Sequence, residues 1–75
     1  MPAKERGTQL EALLKMIREL MRHPATIVDL AGQLDLDRRT IYRYVDVIER
    51  SGIRVRKEDG SYRADAGDVR KALGL

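Results

Sequence analysis

The chain has no cysteine, no tryptophan and no phenylalanine, and His23 is its single histidine. Without cysteine there can be no disulfide and no thiolate metal site, and one histidine cannot build a metal centre by itself. His23 follows the end of a predicted helix, where a capping or structural role is expected. No nucleophile–base pair, paired carboxylates or phosphate-binding loop is visible. The sequence therefore predicts a protein that is not an enzyme and that carries no metal or cofactor.

Long apolar segments are also missing. The longest run of apolar residues is three, Ala12 to Leu14, whereas a membrane-spanning helix needs about 20. The N-terminal segment MPAKERG has no apolar region, so no signal peptide is visible and a cytoplasmic location is expected. With 75 residues the chain has room for one domain, whose small core yields roughly 3–5 kcal/mol of net stability. A partner, either a second copy or a ligand, would therefore help.

Charged residues are abundant and unevenly distributed. Residues 38–57 contain seven cations and two anions, a net charge of +5, whereas the rest of the chain carries eight cations and ten anions, a net charge of −2. A basic centre between acidic flanks is typical of a surface that binds a polyanion. A solvated charged helix face is the alternative, and charge alone leaves the two open.

Apolar periodicity and a capping signal predict the first helix. Thr8-Gln9-Leu10-Glu11 matches a capping box, so the helix is expected to span residues 9–22. It should stop there because Pro24 disfavours helical geometry in the residue before it. Apolar residues at helical spacing are expected to form one stripe that faces the core: Leu10, Leu13, Leu14, Ile17, Leu20 and Met21.

Two further helices are predicted on either side of a tight turn at Asp35-Leu36. Thr26 can cap a helix over residues 27–34. Asp37 can cap a helix over residues 38–51 if its carboxylate accepts a hydrogen bond from the amide of residue 39 or 40. Gly52 then lies where the left-handed residue that ends a helix is expected.

The third helix is expected to have two chemically different sides. At 100° per residue, Ile41, Val45 and Ile48 share one side. Tyr44 lies beside them and is expected to belong to the core or its margin. The opposite side is formed by Arg39, Arg43, Asp46 and Arg50, with Thr40 and Tyr42 at its margins.

After Gly52 the period of the apolar residues changes from 3.6 to 2. The segment IRVRKE alternates apolar and charged residues, and Asp59-Gly60 is the strongest short hairpin signal, so a hairpin over residues 53–65 is predicted. The tail can form a short helix over residues 67–73. The inner face of the hairpin is expected to comprise Ile53, Val55, Tyr62 and Ala64.

The order helix, short helix, tight turn, helix, hairpin is that of a winged helix. We therefore predict a mainly α fold with a small β-hairpin. It is one winged helix-turn-helix domain over residues 1–75, with three helices, a two-stranded wing and, optionally, the short C-terminal helix.

Three pieces of sequence resemble a known family: RRTIYR in the third helix, SGI after it, and EDGSYR at the hairpin. From about Leu10 to Asp65 the chain resembles the N-terminal DNA-binding domain of DeoR-type and WYL-domain bacterial transcription regulators. It is also similar to the winged module at the start of the biotin operon repressor. The resemblance implies binding to double-stranded DNA in transcriptional control.

The sequence departs from the usual pattern of that family at Asp35, Asp37 and Tyr44. No effector domain follows the wing within the 75 residues. Two alternatives stay open: a stand-alone DNA binder, such as a small phage or plasmid regulator, and a fragment of a longer regulator.

Candidate DNA contacts lie on the third helix and the hairpin. Arg39 and Arg43 are positioned to contact base edges in the major groove, where an arginine can bind O6 and N7 of guanine. Arg38, Thr40 and Tyr42 are candidates for phosphate contacts, which fix the register of the protein on the duplex. The full set of predicted DNA-binding residues is Arg38, Arg39, Thr40, Tyr42, Arg43, Arg50, Arg54, Arg56, Lys57 and Arg63.

In the wing, Arg56 and Lys57 are the first choices for contact with the DNA backbone or the minor groove. Outward cations on a hairpin also protect an exposed strand edge from aggregation, and this is the alternative. A further alternative for the whole domain is a winged helix that binds a protein, such as RNA polymerase or another regulator. RNA binding usually relies on exposed stacking aromatics, for which only Tyr42 qualifies.

A homodimer is one way to raise affinity, because specific binding normally comes from two copies on two half-sites. The alternative for the tail is that it packs on the first helix. No membrane partner and no small-molecule site is visible. The candidate residues for a dimer surface are Met16, Val28, Val47, Val69, Ala72 and Leu73.

Overall fold

The computed structural model describes the backbone of residues 2–74 and the side chains of residues 9–74. Over this range the chain forms a helix-turn-helix followed by a hairpin, and the predicted winged-helix fold class is confirmed. The elements in chain order are α1 (Pro2–Arg22), β1 (Ala25–Thr26), α2 (Ile27–Leu34), α3 (Arg38–Arg50), β2 (Val55–Glu58), β3 (Ser61–Ala64) and α4 (Ala66–Ala72).

The first helix is longer than predicted. It begins at Pro2, and Thr8 lies inside it, so the assignment of Thr8 as the first cap is wrong. Proline is well tolerated in the first turn of a helix, where its missing N–H has no intrahelical partner to lose. The three residues after Ala3 are lysine, glutamate and arginine, which are good helix formers. They extend the helix toward the N-terminus despite the low helix propensity of Gly7.

The buried side of α1 is also rotated relative to the prediction. Leu10 and Leu14 were expected in the core, but they are 58% and 54% exposed. Met16, which lies outside the predicted stripe, is fully buried together with Leu20. Periodicity shows that a helix is amphipathic, but a broad apolar surface can turn more than one side toward the core.

The start of α2 is a complete capping box. The N–H of Asp29 donates to Oγ1 of Thr26 at 3.0 Å, and the N–H of Thr26 donates to Oδ2 of Asp29 at 3.3 Å. Two helix donors without intrahelical partners are thereby satisfied by two side chains only three residues apart. The helix occupies the predicted residues 27–34.

A left-handed residue makes the turn between α2 and α3. Asp35 has φ of 54°, and the N–H of Leu36 donates to the carbonyl of Ala31 at 3.0 Å. This six-to-one hydrogen bond is the signature of a Schellman motif. It reverses the chain within three residues and leaves Leu36 partly buried against the core.

The hairpin turn has the geometry that its sequence predicts. Glu58 is paired directly with Ser61, so the loop contains only Asp59 and Gly60. Both have positive φ, 50° and 80°, as a type I′ turn requires. This turn matches the right-handed twist of the two strands.

A third strand, which the sequence analysis did not predict, joins the wing. β1 pairs antiparallel with β3, with Ala25 opposite Tyr62 and Thr26 opposite Ser61, and the strand order is β1-β3-β2. A two-residue strand has no periodicity that could reveal it. The pairing ties the segment between α1 and α2 to the wing and fixes the wing relative to the helices.

One core joins the helices to the sheet. Ala25 and Ala64 contribute from the sheet, Ile53 from the loop before it, and Tyr62 is half-buried beside them. Val69 of α4 is 5% exposed and belongs to this core. Met16 and Val69 are therefore not available for a dimer surface, which corrects that prediction. The residues buried from the helices are Met16, Leu20, Ile27, Leu30, Ile41, Val45, Ile48 and Val69.

Candidate nucleic-acid interface

The orientation of α3 determines which of its side chains can reach a ligand. Ile41, Val45 and Ile48 are buried, as the helical spacing predicts. Their burial fixes the rotation of the helix about its axis, so Arg39 and Arg43 on the other side are exposed. Tyr44 is half-buried at the margin of the core.

The cap of α3 brings a carboxylate next to the exposed arginines. The N–H of Thr40 donates to Oδ1 of Asp37 at 2.7 Å, which is one of the two bonds that the sequence predicts. Hydrogen bonds from the side chain and the backbone of Thr40 hold the pKa of Asp37 below its ordinary value, and the charges of Arg39 and Arg43 lower it further. Thr40 is itself half-buried, and its backbone N–H is engaged in the cap.

Two of the predicted arginines have acidic partners. Nη2 of Arg50 lies 3.1 Å from Oδ2 of Asp46, one helical turn earlier. Nε of Arg54 lies 3.9 Å from Oδ2 of Asp68 in α4. The same oxygen accepts a hydrogen bond from the backbone N–H of Arg54 at 3.2 Å. Both arginines are thus partly neutralised within the protein.

The remaining exposed cations of α3 have no such partner among the side chains that the structure describes. Arg38, Arg39 and Arg43 form no ion pair with any side chain in residues 9–74. Arg39 and Arg43 are like charges four residues apart, which costs an isolated helix a few tenths of a kcal/mol. An anionic ligand on this side of α3 would remove that repulsion.

The register of the wing separates its cations into two faces. Arg56 lies directly opposite Arg63, and both are exposed on the face that points away from the core. Lys57 lies opposite Tyr62 on the core side, with its Nζ 5.6 Å from the centre of the tyrosine ring. The prediction that Lys57 points outward together with Arg56 is therefore wrong. The alternation of the strand, counted from Val55, already places Lys57 on the core side.

Like charges directly across a strand pair destabilise a hairpin. The pair Arg56 and Arg63 is therefore unfavourable for the wing by itself, and an anion bound between them would compensate this repulsion. The same face borders a groove of about 350 Å³ that Met21, Pro24 and Ala66 line on its apolar side. Glu58 and Asp65 also line this groove, so its charges balance.

Tyr42 is 54% exposed and lies at the margin of the arginine side of α3. Its hydroxyl is available to donate a hydrogen bond. The ten predicted residues thus fall into three groups: six on α3, three in the hairpin, and Arg54 at the point where the chain passes from α3 into β2. α3 and β2 contact each other, so the cations of α3 and those of the hairpin are carried by neighbouring elements.

The acidic partners of Arg50 and Arg54 were not found by sequence reasoning. Asp46 stands at the i, i+4 spacing of a helical ion pair, so a signal for it was present. Asp68 is 14 residues from Arg54 in the chain, and no local pattern links them.

Among the side chains of residues 9–74 no group of three histidines, cysteines or carboxylates could hold a metal ion. No helix in the described range is long and apolar enough to cross a membrane.

Comparison with known proteins gives one match. The model of a family described as an HTH domain, a helix-turn-helix, matches residues 9–63. The matched segment contains most of α1, then β1, α2, α3, β2 and most of β3. Neither the curated proteins nor the solved structures include a significant match to the chain.

Proposed function

Because the chain belongs to this family of helix-turn-helix domains, which are DNA-binding regulatory domains, we propose that it binds double-stranded DNA sequence-specifically. In this proposal it acts in transcriptional regulation, with α3 in the major groove and the wing on the adjacent backbone. The observation that carries the proposal is the side of α3 opposite its buried residues, where Arg39 and Arg43 are exposed and form no ion pair with an acidic side chain of residues 9–74.

The residues have different roles in this proposal. Arg39 and Arg43 bind base edges, because a guanidinium can donate two parallel hydrogen bonds to guanine. Arg38 and Tyr42 contact phosphates and fix the register. Thr40 acts mainly through the cap of α3, since its N–H is used by Asp37.

In the wing, Arg56 and Arg63 contact the DNA backbone as a pair of outward cations. Lys57 contributes less to this contact, because its ammonium lies over Tyr62 on the other face. Arg50 and Arg54 contribute less because each has an acidic neighbour, Asp46 or Asp68, that competes with phosphate.

Selection from a pool of random duplexes tests the proposal. The native protein is expected to enrich one sequence in the presence of excess nonspecific DNA. Arg43→Ala is expected to weaken binding to that sequence by about 1–3 kcal/mol and to relax the choice of one base pair. Arg70→Ala removes the same charge from α4, outside the proposed interface, and is expected to keep both affinity and base choice.

The outcome also separates DNA binding from binding to a protein. Binding to DNA through several phosphate contacts falls by orders of magnitude between about 50 and 200 mM salt. If no duplex is enriched and the Arg43→Ala variant binds DNA as the native protein does, the proposed reading side is wrong. A salt-resistant complex with RNA polymerase and none with any duplex would favour a protein-binding winged helix instead.

A further inference from the structure

One side of α1 carries apolar side chains that the core covers only in part. Leu10 and Leu14 are largely exposed, whereas Ile17 and Met21 pack against the edge of the core and stay partly exposed. These four residues are spaced by four, three and four positions, so they lie within about 60° of one another around the helix axis. They form a stripe about 16 Å long, which we call the α1 stripe.

A stripe that repeats every 3.5 residues on the outside of a helix is the seam through which two helices pack. Exposed apolar residues aligned in this way are more than scattered surface leucines, which need no explanation. We propose that two copies of this chain associate through the α1 stripe, with the two α1 helices antiparallel about a two-fold axis.

The charges beside the stripe select a second copy as the partner. One flank carries Glu11 and Arg18, both exposed, whereas the other flank carries Leu13 and Leu20, which pack into the core of the same chain. A two-fold interface must be complementary to itself. A flank with one anion and one cation on either side of the centre of the stripe meets this condition.

The same charges determine the orientation of the two helices. In a parallel pair, each charged flank would face the flank of Leu13 and Leu20, which offers no charge. In an antiparallel pair the two charged flanks face each other. With the two-fold axis midway between Leu14 and Ile17, Glu11 lies about 3 Å along the axis from Arg18 of the second copy. The two-fold axis then repeats this ion pair on the other half of the interface.

The pairing of α1 does not depend on DNA binding. Its use for two half-sites rests on the proposed function, because only then would the dimer present two copies of α3 to one duplex. The two proposals are therefore tested by different measurements.

Sedimentation equilibrium of the full chain tests the dimer. The native chain is expected to show a monomer–dimer equilibrium at concentrations up to about 1 mM. Leu14→Arg buries an unpaired charge in the interface, so it is expected to raise the dissociation constant by at least about 100-fold. Gln33→Arg places the same charge at an exposed position of α2, outside the α1 stripe, and is expected to leave the equilibrium unchanged.

Charge reversal tests the orientation. Glu11→Arg and Arg18→Glu are each expected to weaken the dimer, because each places like charges together, and the double variant is expected to restore it. Far-UV circular dichroism checks that every variant keeps the native helix content, and Leu10→Arg is a second interface variant. A native chain that stays monomeric, or Leu14→Arg and Leu10→Arg variants that dimerise like the native chain, would overturn the proposal. Two weakened single variants without rescue in the double variant would overturn the antiparallel arrangement.

Binding to DNA separates failure of the dimer from failure of the proposed function. A monomeric Leu14→Arg variant is expected to bind a single half-site as the native chain does, since Leu14 lies outside the proposed interface with DNA. Loss of half-site binding in this variant would contradict that assignment of the interface.

Discussion

Asp37 connects the folding of α3 to the charges that α3 presents. Its carboxylate holds the first turn through the N–H of Thr40 at 2.7 Å, and the nearby guanidinium groups of Arg39 and Arg43 favour its ionised form. A serine cap would hold the turn without charge. The aspartate instead adds an anion at the point where α3 begins its row of cations.

This carboxylate predicts a specific dependence of stability on pH. Because the pKa of Asp37 is lowered in the folded protein, the unfolded chain binds more protons at this site between the two pKa values, and stability rises with pH there. The contribution is complete above the unfolded pKa of about 3.9. It is lost as the pH falls through the lower pKa of the folded state.

Asp37→Asn keeps an oxygen that can cap the helix but removes the titrating group. In this variant the midpoint of thermal unfolding is expected to fall less steeply below about pH 4 than in the native chain. Circular dichroism at a series of pH values measures this. Native and variant curves that fall in parallel through the acid range would show that Asp37 does not contribute.

The presence or absence of a neighbouring carboxylate ranks the arginines as candidate contacts to DNA. Arg50 and Arg54 each lie within 4 Å of a carboxylate, whereas Arg39 and Arg43 do not lie that close to any carboxylate in residues 9–74. Exposed ion pairs are worth little to stability. In the proposed complex these ion pairs weaken the contribution of Arg50 and Arg54, because a phosphate would compete with Asp46 or Asp68 for the same guanidinium group.

The ends of the helices depend on backbone conformations that only some residues adopt easily. Gly52 has φ of 96°, and its N–H donates to the carbonyl of Glu49 at 3.0 Å. The N–H of Ile53 donates to the carbonyl of Ile48 at 3.4 Å, which completes a Schellman motif. This motif turns the chain out of α3 and places Ile53 in the core before the wing begins.

Two glycine substitutions are expected to have opposite effects on stability. Gly52→Ala forces an alanine into the left-handed region and should destabilise the fold by about 1–2 kcal/mol. Gly32→Ala lies inside α2, has open space around the added methyl group, and should stabilise the fold by about 0.5–1 kcal/mol. Urea unfolding of the two variants measures both. Two changes of the same sign would contradict the assigned end of α3 or the open space at Gly32.

The wing differs from a simple hairpin because it has a neighbour on one edge and a helix at its base. β1 covers one edge of β3, and Asp68 of α4 holds the backbone of Arg54 where the wing starts. These contacts fix the direction in which Arg56 and Arg63 point. The outward face of the wing is thereby held relative to α3.

At the scale of the whole molecule, α3 and the wing have different proposed roles, so substitutions in the two elements are expected to change DNA binding in different ways. The logarithm of the DNA-binding constant should fall linearly with the logarithm of salt concentration, with a slope of about −0.9 for each phosphate contact. Arg56→Ala is expected to reduce this slope by about one and to weaken binding equally for all sequences. Arg43→Ala is expected to change base choice instead.

Titrations at several salt concentrations, each with a specific and an unrelated duplex, measure this separation. Lys71→Ala, which removes a cation from α4, is the control and is expected to keep the native slope. If Arg56→Ala keeps the native slope as well, the wing does not contact the DNA backbone.

The candidate site was predictable where its signals are local. Thr26, Asp37, Gly52 and the Asp59-Gly60 turn act through hydrogen bonds or dihedral angles within a few residues of themselves. The division of α3 into a buried and an exposed side was likewise predictable, because aliphatic residues recur every three or four positions along it. The roles of the ten residues toward DNA stay predictions.

By itself, the sequence determined the order of the helices and the hairpin, the ends of α2, the start of α3, the hairpin turn and the exposure of the arginines on α3. Each of these depends on interactions between residues close together in the chain, so the residue types are sufficient. Only the tertiary structure decided the pairing of β1 with β3, the burial of Met16 instead of Leu10 and Leu14, and the contact of Asp68 with Arg54. These depend on the direction from which distant segments approach, and no local pattern of residues encodes that direction.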